Sequence, residues 1–322
     1  MAILRTLSNN TRLAALVDAL SLYVSEDVSD SEDQCGAAPP TPDGYWDLVS
    51  LALKQTSRLQ FFDIHIDNGD EMSNAWVLRD ATFQLRTFHC DFSWDEHLVT
   101  FLDSQASLSD LYILDFQIDT GGHDITRYSN NPAFLPSLSV LECTFMEAAA
   151  ALVPGHAISR LKTCFTHSEV EEKRLEMRQL LTHVRRTRRH LRALDIADSS
   201  YDSAFTVEFA QQLTNALTHS TRLKYLGTLA LPIDGRERLE FYGLLMRLPG
   251  LQCVELEVSD WEPAPTRTVA ALRSLTFELR LYCPSISRVV FVYDLDRYVM
   301  KVVDHSCVVD QDVNPELLWR EI

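Results

Sequence analysis

One short pattern of apolar residues recurs along the sequence, and it constrains the fold more than any other feature. Its cleanest copy runs from Leu191 to Ser199 and has large apolar residues at its first, fourth and sixth places. Successive side chains of a β-strand point to opposite faces. The pattern therefore predicts a strand that buries Leu194 and Ile196 on one face and presents Asp195 on the other.

The same pattern is found ten times, and the copies are separated by segments with helical periodicity. The spacings are mostly 20 to 35 residues, which overlaps the range of about 20 to 29 that is typical of leucine-rich repeats. A helix followed by a strand, many times over, requires parallel strands on one side and helices on the other. We therefore predict an α/β fold, an irregular leucine-rich-repeat solenoid of the ribonuclease-inhibitor-like type, with parallel strands on the concave face and helices on the convex face. The copies begin at Val17, Leu59, Leu85, Leu111, Leu138, Ile158, Leu191, Leu226, Leu251 and Ile286. The helical segments are approximately 44–56, 94–104, 169–187, 204–218, 236–247 and 266–282.

Two regions depart from the repeat. Residues 25–44 are rich in Ser, Asp, Glu and Pro and hold too little apolar surface to pack, so a disordered loop is expected there. Residues 286–322 contain the last repeat strand and two further β-rich runs, which predict a C-terminal cap with Trp319 as a packing anchor. The predicted organisation is a solenoid over 1–285, interrupted by that loop, followed by the cap.

Composition narrows the classes of partner. The formal net charge of −17 argues against nucleic acid and anionic membranes and would attract a basic protein partner, although solubility alone is the preferred explanation of the charge. No apolar run reaches the roughly 18 residues that a membrane span needs, and the N-terminus lacks the apolar block of a secretory signal. The seven cysteines are scattered and indicate buried reduced thiols. A cytoplasmic or nuclear protein is expected.

The fifth place of the pattern provides the candidate binding site. Half of the ten residues there are acidic, and because neighbouring strands lie about 4.8 Å apart they would form a negative stripe on the concave face. Such a stripe would bind a basic protein client, with Tyr23, Phe61 and Trp94 as aromatic anchors if they lie near the same face. Ordinary polar alternation on a hydrated strand face explains the same residues. The predicted partner-binding residues are Asp63, His89, Asp91, Asp115, Glu142, Asp195, Glu255 and Glu257.

Other charged and polar motifs have structural explanations. The basic run from Arg185 to Arg192 is of the kind found in nuclear import signals and polyanion-binding patches. It closes a helix that opens with Glu169, Glu171 and Glu172, and this arrangement, which complements a helix dipole, is the preferred explanation. The sequence contains no Gly-x-Ser-x-Gly elbow, no phosphate-binding glycine loop and no His-Glu-x-x-His pair. No catalytic residue, metal ligand or cofactor is predicted.

Several segments resemble a known family. The opening residues 4–17, strand copies such as 138–141, and the ending through 290–293 and 316–322 resemble the large fungal family of F-box-like proteins with C-terminal irregular leucine-rich repeats. The resemblance covers essentially the full length. It implies the substrate receptor of a cullin-RING ubiquitin ligase, in which an F-box binds the Skp adaptor and the repeats bind the protein to be ubiquitinated.

The sequence departs from this plan at its start, where repeat-like residues begin almost at Met1 and no F-box is recognised. Three functions follow. The first is a non-enzymatic protein-interaction scaffold, and the second is a complete receptor that binds Skp through an element not visible in the sequence. The third is an enzyme with an unrecognised site, which the missing motifs disfavour.

Overall fold

A computed structural model describes residues 1–24, 44–66, 74–114, 131, 133–198, 200–217, 222–304 and 306–322. These residues form two compact units, Met1–Thr144 and Phe145–Ile322. The loop predicted at 25–44 lies outside the described residues apart from Gly44, which is the N-cap of a helix. The chain is α/β, and most of its neighbouring strands are parallel.

The first unit contains five parallel strands whose order follows the sequence. A single 3-10 turn, Ala75–Leu78, is the described helical structure between the second and third strands, so the repeats of this unit are unequal. The helices are α1 (Ala2–Asn9), α2 (Thr11–Ala14), α3 (Tyr45–Gln55) and α4 (Glu96–Asp103). The strands are β1 (Ala19–Val24), β2 (Phe61–Ile66), β3 (Thr87–Cys90), β4 (Asp110–Ile113) and β5 (Val140–Cys143).

The second unit continues the alternation and ends with antiparallel strands. Its first five strands are parallel neighbours, and the last two add to them as antiparallel pairs. The helices are α5 (Met146–Leu152), α6 (Val170–Val184), α7 (Ser203–Ala216), α8 (Gly235–Leu245), α9 (Val269–Tyr282) and α10 (Leu318–Glu321). The strands are β6 (Arg160–Phe165), β7 (Ala193–Asp198), β8 (Tyr225–Ala230), β9 (Cys253–Glu257), β10 (Arg288–Tyr293), β11 (Asp296–Val303) and β12 (Ser306–Val309). Two 3-10 turns, Pro265–Arg267 and Pro315–Leu317, precede α9 and α10.

The fourth place of the pattern forms a continuous apolar row in each unit. In the second unit the row is Leu161, Leu194, Leu226, Val254 and Val289, which are aligned in the strand register and have no exposed surface. Each side chain is covered partly by its neighbour in the row, because adjacent strands are only about 4.8 Å apart. Burial of one such side chain stabilises the fold by about 1.5–3 kcal/mol. In the first unit the row is Leu20, Phe62, Phe88, Leu111 and Leu141.

Two of the ten predicted strand registers are wrong. Leu111 and Leu226 were predicted at the first place of their copies, but both align with fourth-place residues of the neighbouring strands. In each segment leucines recur every three residues, so the same leucines satisfy two alternative frames. Strand β8 also contains an irregularity between Leu226 and Leu229, where two residues lie opposite Glu255 alone, as in a β-bulge.

Short polar side chains end two of the repeats. Asp234 is the N-cap of α8, and its carboxylate accepts hydrogen bonds from the N–H groups of Arg236 and Glu237. The hydroxyl of Ser259 accepts a hydrogen bond from the N–H of Asp294. Each contact satisfies a backbone donor where a repeat turns.

The C-terminal segment does more than extend the sheet edge. Strand β12 pairs with β11 as predicted, but α10 contacts β7, four strands away from β11 in the sheet order. Trp319 is fully buried there, and the side-chain nitrogen of Lys162 lies 6.0 Å from the centre of its ring. The predicted packing anchor is thus confirmed, and it anchors the chain to a strand face.

The cysteines in the described residues are free, and all except half-buried Cys164 are buried. Burial raises the pKa of the Cys164 and Cys283 thiols to about 11, which leaves little reactive thiolate near neutral pH. Cys35 lies outside the described residues. None of the described helices combines the length and the apolar character that crossing a membrane requires.

The apolar row predicts the response to two matched substitutions. Leu194→Ala should lower the free energy of unfolding by about 2–5 kcal/mol, because the side chain is fully buried and its removal leaves a cavity. Leu281→Ala, at a site 81% exposed, should change it by less than about 0.5 kcal/mol. Urea unfolding followed by circular dichroism measures both, and equal losses would contradict the assignment of the row.

Candidate functional site

The fifth-place face of the first unit is open and carries a row of polar and aromatic side chains. The register aligns Ser21, Asp63, His89, Tyr112 and Glu142 across β1 to β5. Asp63 is buried, Ser21 is exposed, and the remaining three are half-buried. Asp63, His89 and Glu142 therefore lie on the predicted strand face, but the prediction that Asp63 is exposed there is wrong, because its side chain is buried.

Tyr112 occupies the position that was predicted for Asp115. Asp115 itself lies outside the described residues, and the register of β4 places Tyr112 between His89 and Glu142. The cause is the three-residue slip of the predicted frame in this strand. Counting Leu108 as the first place, in line with buried Leu111 at the fourth, would have identified the tyrosine.

Two side chains contact the buried carboxylate of Asp63. The hydroxyl of Tyr23 donates a hydrogen bond to its Oδ2 atom, and the Nε2 atom of His65 lies 3.0 Å from Oδ1. The rings of Tyr23 and His65 also stack, with their centres 5.7 Å apart. Together these contacts hold one negative charge just below an open aromatic surface.

The aromatic surface extends over four strands through direct ring contacts. Tyr112 contacts His65 at 5.5 Å and His89 at 6.0 Å between ring centres, and His89 contacts Phe61 at 6.0 Å. We call Tyr23, Phe61, His65, His89 and Tyr112 the aromatic face. Of the three predicted anchors, Tyr23 and Phe61 belong to it, whereas Trp94 is buried elsewhere.

Carboxylates surround the aromatic face and affect its tyrosines. The pKa of Tyr112 is raised to about 12, first by burial and then by the negative charges of Glu142 and Asp91. The pKa of Tyr23 is raised mainly by its hydrogen bond to Asp63. Both phenols stay protonated at neutral pH. The proton of Tyr23 is donated to Asp63, whereas the hydroxyl of Tyr112 can donate a hydrogen bond to a partner.

The corresponding face of the second unit is covered. Asp195 and Glu255 are only 5% and 1% exposed, so the prediction that they line an open stripe is wrong. Glu255 accepts hydrogen bonds from the hydroxyl of Tyr225 at 2.8 Å and from Nε of Arg297 at 3.1 Å. These contacts satisfy a buried carboxylate, which is a structural role.

The closing segment of the chain provides the cover. Arg297 bridges Glu255 to Glu316, which lies in the turn before α10. Burial alone would lower the pKa of Arg297, but the two carboxylates raise it overall, so the guanidinium stays charged. Glu257, the remaining predicted residue, ends β9 and accepts hydrogen bonds from the N–H and hydroxyl of Ser259.

Gly227 separates the two buried carboxylates. A Cβ atom at this position would lie 2.8 Å from Cβ of Glu255 and 3.2 Å from Oδ1 of Asp195, both closer than normal contact. The hydroxyl of Thr228, the next residue, donates a 3.0 Å hydrogen bond to Glu255. The packing around Gly227 therefore leaves no room for a Cβ atom unless a neighbouring atom shifts.

No metal site is found in the part of the chain that the structure describes. Among these residues, no three His, Cys, Asp or Glu side chains are placed to hold a metal ion together. The Asp63–His65 pair consists of a carboxylate and an imidazole in contact, and its described neighbours are aromatic rings. This arrangement presents hydrogen-bond donors, ring faces and negative charge to a partner.

Gly227→Ala should lower the free energy of unfolding by about 1–3 kcal/mol, because the added methyl group overlaps Glu255. Gly243→Ala is the matched control. It lies in α8 with open space around it and should raise stability by up to about 1 kcal/mol through helix propensity. Urea unfolding of both variants tests the packing, which is contradicted if Gly227→Ala is as stable as the wild type.

The raised pKa of Tyr112 predicts a loss of stability at high pH. Below about pH 9 the phenol is protonated in both states, so it contributes no pH dependence. As the pH rises from 10 towards 12, the unfolded chain releases this proton first and is favoured, and the free energy of unfolding falls. The free energy of unfolding of Tyr112→Phe should therefore vary with pH as that of the wild type does below pH 9, and it should fall less steeply above pH 10. Identical slopes above pH 10 would disprove the assignment.

No protein-family model matches the chain, and no curated protein matches it. The chemistry of the two strand faces is therefore the basis for a function. The face of the first unit is open, aromatic and bordered by carboxylates, whereas the face of the second unit is covered by the chain itself.

Proposed function

We propose that this chain is a non-enzymatic protein-interaction scaffold that binds a basic segment of a partner protein on the aromatic face of its first unit. The observation that carries the proposal is the set of direct ring contacts that link β1 to β4 on an open strand face. Tyrosine is enriched at protein interfaces because it offers a large apolar ring with a polar tip.

The architecture we propose is an irregular leucine-rich-repeat solenoid. Support comes from a backbone contact that recurs in both units. The carbonyl before one strand accepts hydrogen bonds from two successive N–H groups at the start of the next, as Arg192 does from Lys224 at 2.7 Å and Tyr225 at 3.1 Å. The carbonyls of Gln60, Arg86, Ser159, Lys224 and Gln252 make the same double contact. Such repetition is expected when each repeat packs only against its neighbours.

The exposure of the face suits a binding role. Tyr23 is 63% exposed, and Phe61, His65, His89 and Tyr112 are half-buried against one another. Neighbouring rings hold each other in place, so less side-chain entropy is lost when a partner binds. A partner side chain that covers Tyr23 would remove a large apolar area from water.

The charge of the face favours a cationic partner. Asp63 lies beneath the rings, and Asp91 and Glu142 are close enough to raise the pKa of Tyr112. Lysine and arginine side chains bind both to carboxylates and to the faces of aromatic rings, and the second contact contributes about 0.5–2 kcal/mol. The net charge of −17 should also accelerate encounter with a basic segment.

The resemblance of the sequence to F-box-like proteins supports a wider proposal for this scaffold. In that role the chain would be the substrate-recognition region of a ubiquitin-ligase receptor, and the bound protein would be the substrate. Affinity capture from cells distinguishes the two versions. Recovery of Skp and cullin subunits supports a complete receptor, whereas partners without them support a scaffold.

The tyrosines of the aromatic face should act as binding hot spots. Tyr23→Ala and Tyr112→Ala should each weaken the binding of a captured partner by about 2 kcal/mol, or roughly 30-fold in Kd, because both tyrosines lie on the proposed contact surface. Tyr293→Ala, a half-buried tyrosine in the second unit, is the matched control and should leave Kd unchanged. Purified partner titrated against each variant by calorimetry provides the values.

Two checks sharpen this experiment. Thermal unfolding must first show that each variant remains folded, since Tyr112 is half-buried. Added salt should slow association if the carboxylates attract the partner, because charge effects are screened beyond about 8 Å at physiological ionic strength. A partner whose Kd is unaffected by both tyrosine substitutions would rule out the aromatic face as its binding site.

A further inference from the structure

We infer that a second binding site, for a phosphorylated peptide segment, lies in the second unit at the C-terminal end of α6. A cavity of about 240 Å³ opens there and is lined by Arg185, Arg188, Arg189 and His190 together with the ends of two helices. This site does not depend on the aromatic face, which belongs to the other unit.

The charge of the site is concentrated and local. Residues 178–192 contain six arginines and two histidines but no Asp or Glu. The acidic residues that open α6 lie at its other end, about 20 Å away for a helix of this length. Among the described residues, Arg185, Arg188 and Arg189 take part in no ion pair, and all three are exposed. Their guanidinium groups are therefore available to an anion.

The positive charge of the three arginines is larger than the helix dipoles require. The cavity is lined by the ends of α6 and α7, at Val184 and Ala216, and each helix end is equivalent to about half a negative charge. Two ends amount to roughly −1 against +3 from the three arginines. The remaining charge of about +2 matches a phosphate monoester, which carries about −1.5 to −2 at neutral pH.

The backbone that carries the arginines is held in one conformation. The N–H of Arg188 donates to the carbonyl of His156 at 2.8 Å, and the carbonyl of Arg186 accepts from Gly155 at 3.0 Å. The hydroxyl of Thr187 donates to the carbonyl of Arg189 at 2.6 Å. Arginines on a fixed backbone lose less entropy on binding, and their forked guanidinium groups suit phosphate oxygens.

Clustering these arginines has a cost that a bound anion would remove. Guanidinium groups that line the same small cavity repel one another, because they carry like charges. One cation near the end of each helix would be enough to complement its dipole. The additional arginines are explained if their combined field binds a dianion.

The rest of the chain favours a short ligand over a long polyanion. The net charge is −17, so a nucleic acid that extended beyond the cavity would meet a negative surface. A phosphorylated side chain with a few flanking residues stays within about one Debye length of the arginines, where their field dominates. The cavity is also of a size to take one such side chain.

Fluorescence anisotropy with purified full-length protein tests the site. The probes are a short labelled peptide of Gly, Ala and Ser with one central phosphoserine, the same peptide without phosphate, and a labelled oligothymidylate. The phosphopeptide should bind at least about tenfold more tightly than its unphosphorylated form, and inorganic phosphate and added salt should weaken its binding. Equal affinity for the two peptides would overturn the inference, and so would tighter binding of the oligothymidylate than of the phosphopeptide.

Substitutions assign the binding to this cavity. Arg188→Glu with Arg189→Glu should weaken phosphopeptide binding about tenfold or more, and the uncharged set Arg185→Gln, Arg188→Gln and Arg189→Gln should do the same without introducing repulsion. The control pair is Arg236→Glu with Arg267→Glu, two exposed residues of the same unit away from the cavity, and it should keep wild-type affinity. Binding that survives both arginine sets, or that falls equally in the control, would refute the site.

Discussion

The structure depends on mutual covering of one apolar side chain per strand. In β7, for example, Leu194 is buried and is flanked in the same row by Leu161 and Leu226. The row tolerates large differences in what connects the strands. In the first unit, β2 and β3 are parallel neighbours, although the described helical structure between them is one 3-10 turn. Burial of the fourth place is thus the constant element, and the helices adjust to it.

The same dependence explains which parts of the fold were predictable from sequence. Apolar periodicity locates strands and helices reliably, because it reports burial directly, and eight of the ten predicted registers match the pairing of the strands. The failures at Leu111 and Leu226 arise because leucines recur every three residues there, so that the leucines fit two alternative frames. Only the neighbouring strand decides between them. That is long-range information, which a pattern within one segment does not contain.

The candidate site was harder to predict than the fold, for a related reason. Strand alternation correctly placed Asp63, Asp195 and Glu255 on the face opposite the apolar row, but it says nothing about what covers that face. Arg297 and Trp319 reach the second unit's face from far along the chain, and they convert predicted surface carboxylates into buried, paired ones. The sequence signals for this cover were Arg297 in β11 and Trp319 near the end of the chain, a charged and an aromatic residue that could reach the strand face.

Carboxylates at equivalent places of the repeat differ in role between the two units, because the strand face is covered in the second unit and open in the first. Glu255 is desolvated, so its charge needs Tyr225, Thr228 and Arg297 as partners, and those partners hold the closing segment in place. Glu142 stays half-exposed, where water screens its charge. A buried carboxylate has a structural role because breaking its contacts is costly, whereas a half-exposed one can still be reached by a partner. Recognition is therefore expected on faces where the polar residues of the repeat remain hydrated, and the aromatic face of the first unit meets that condition.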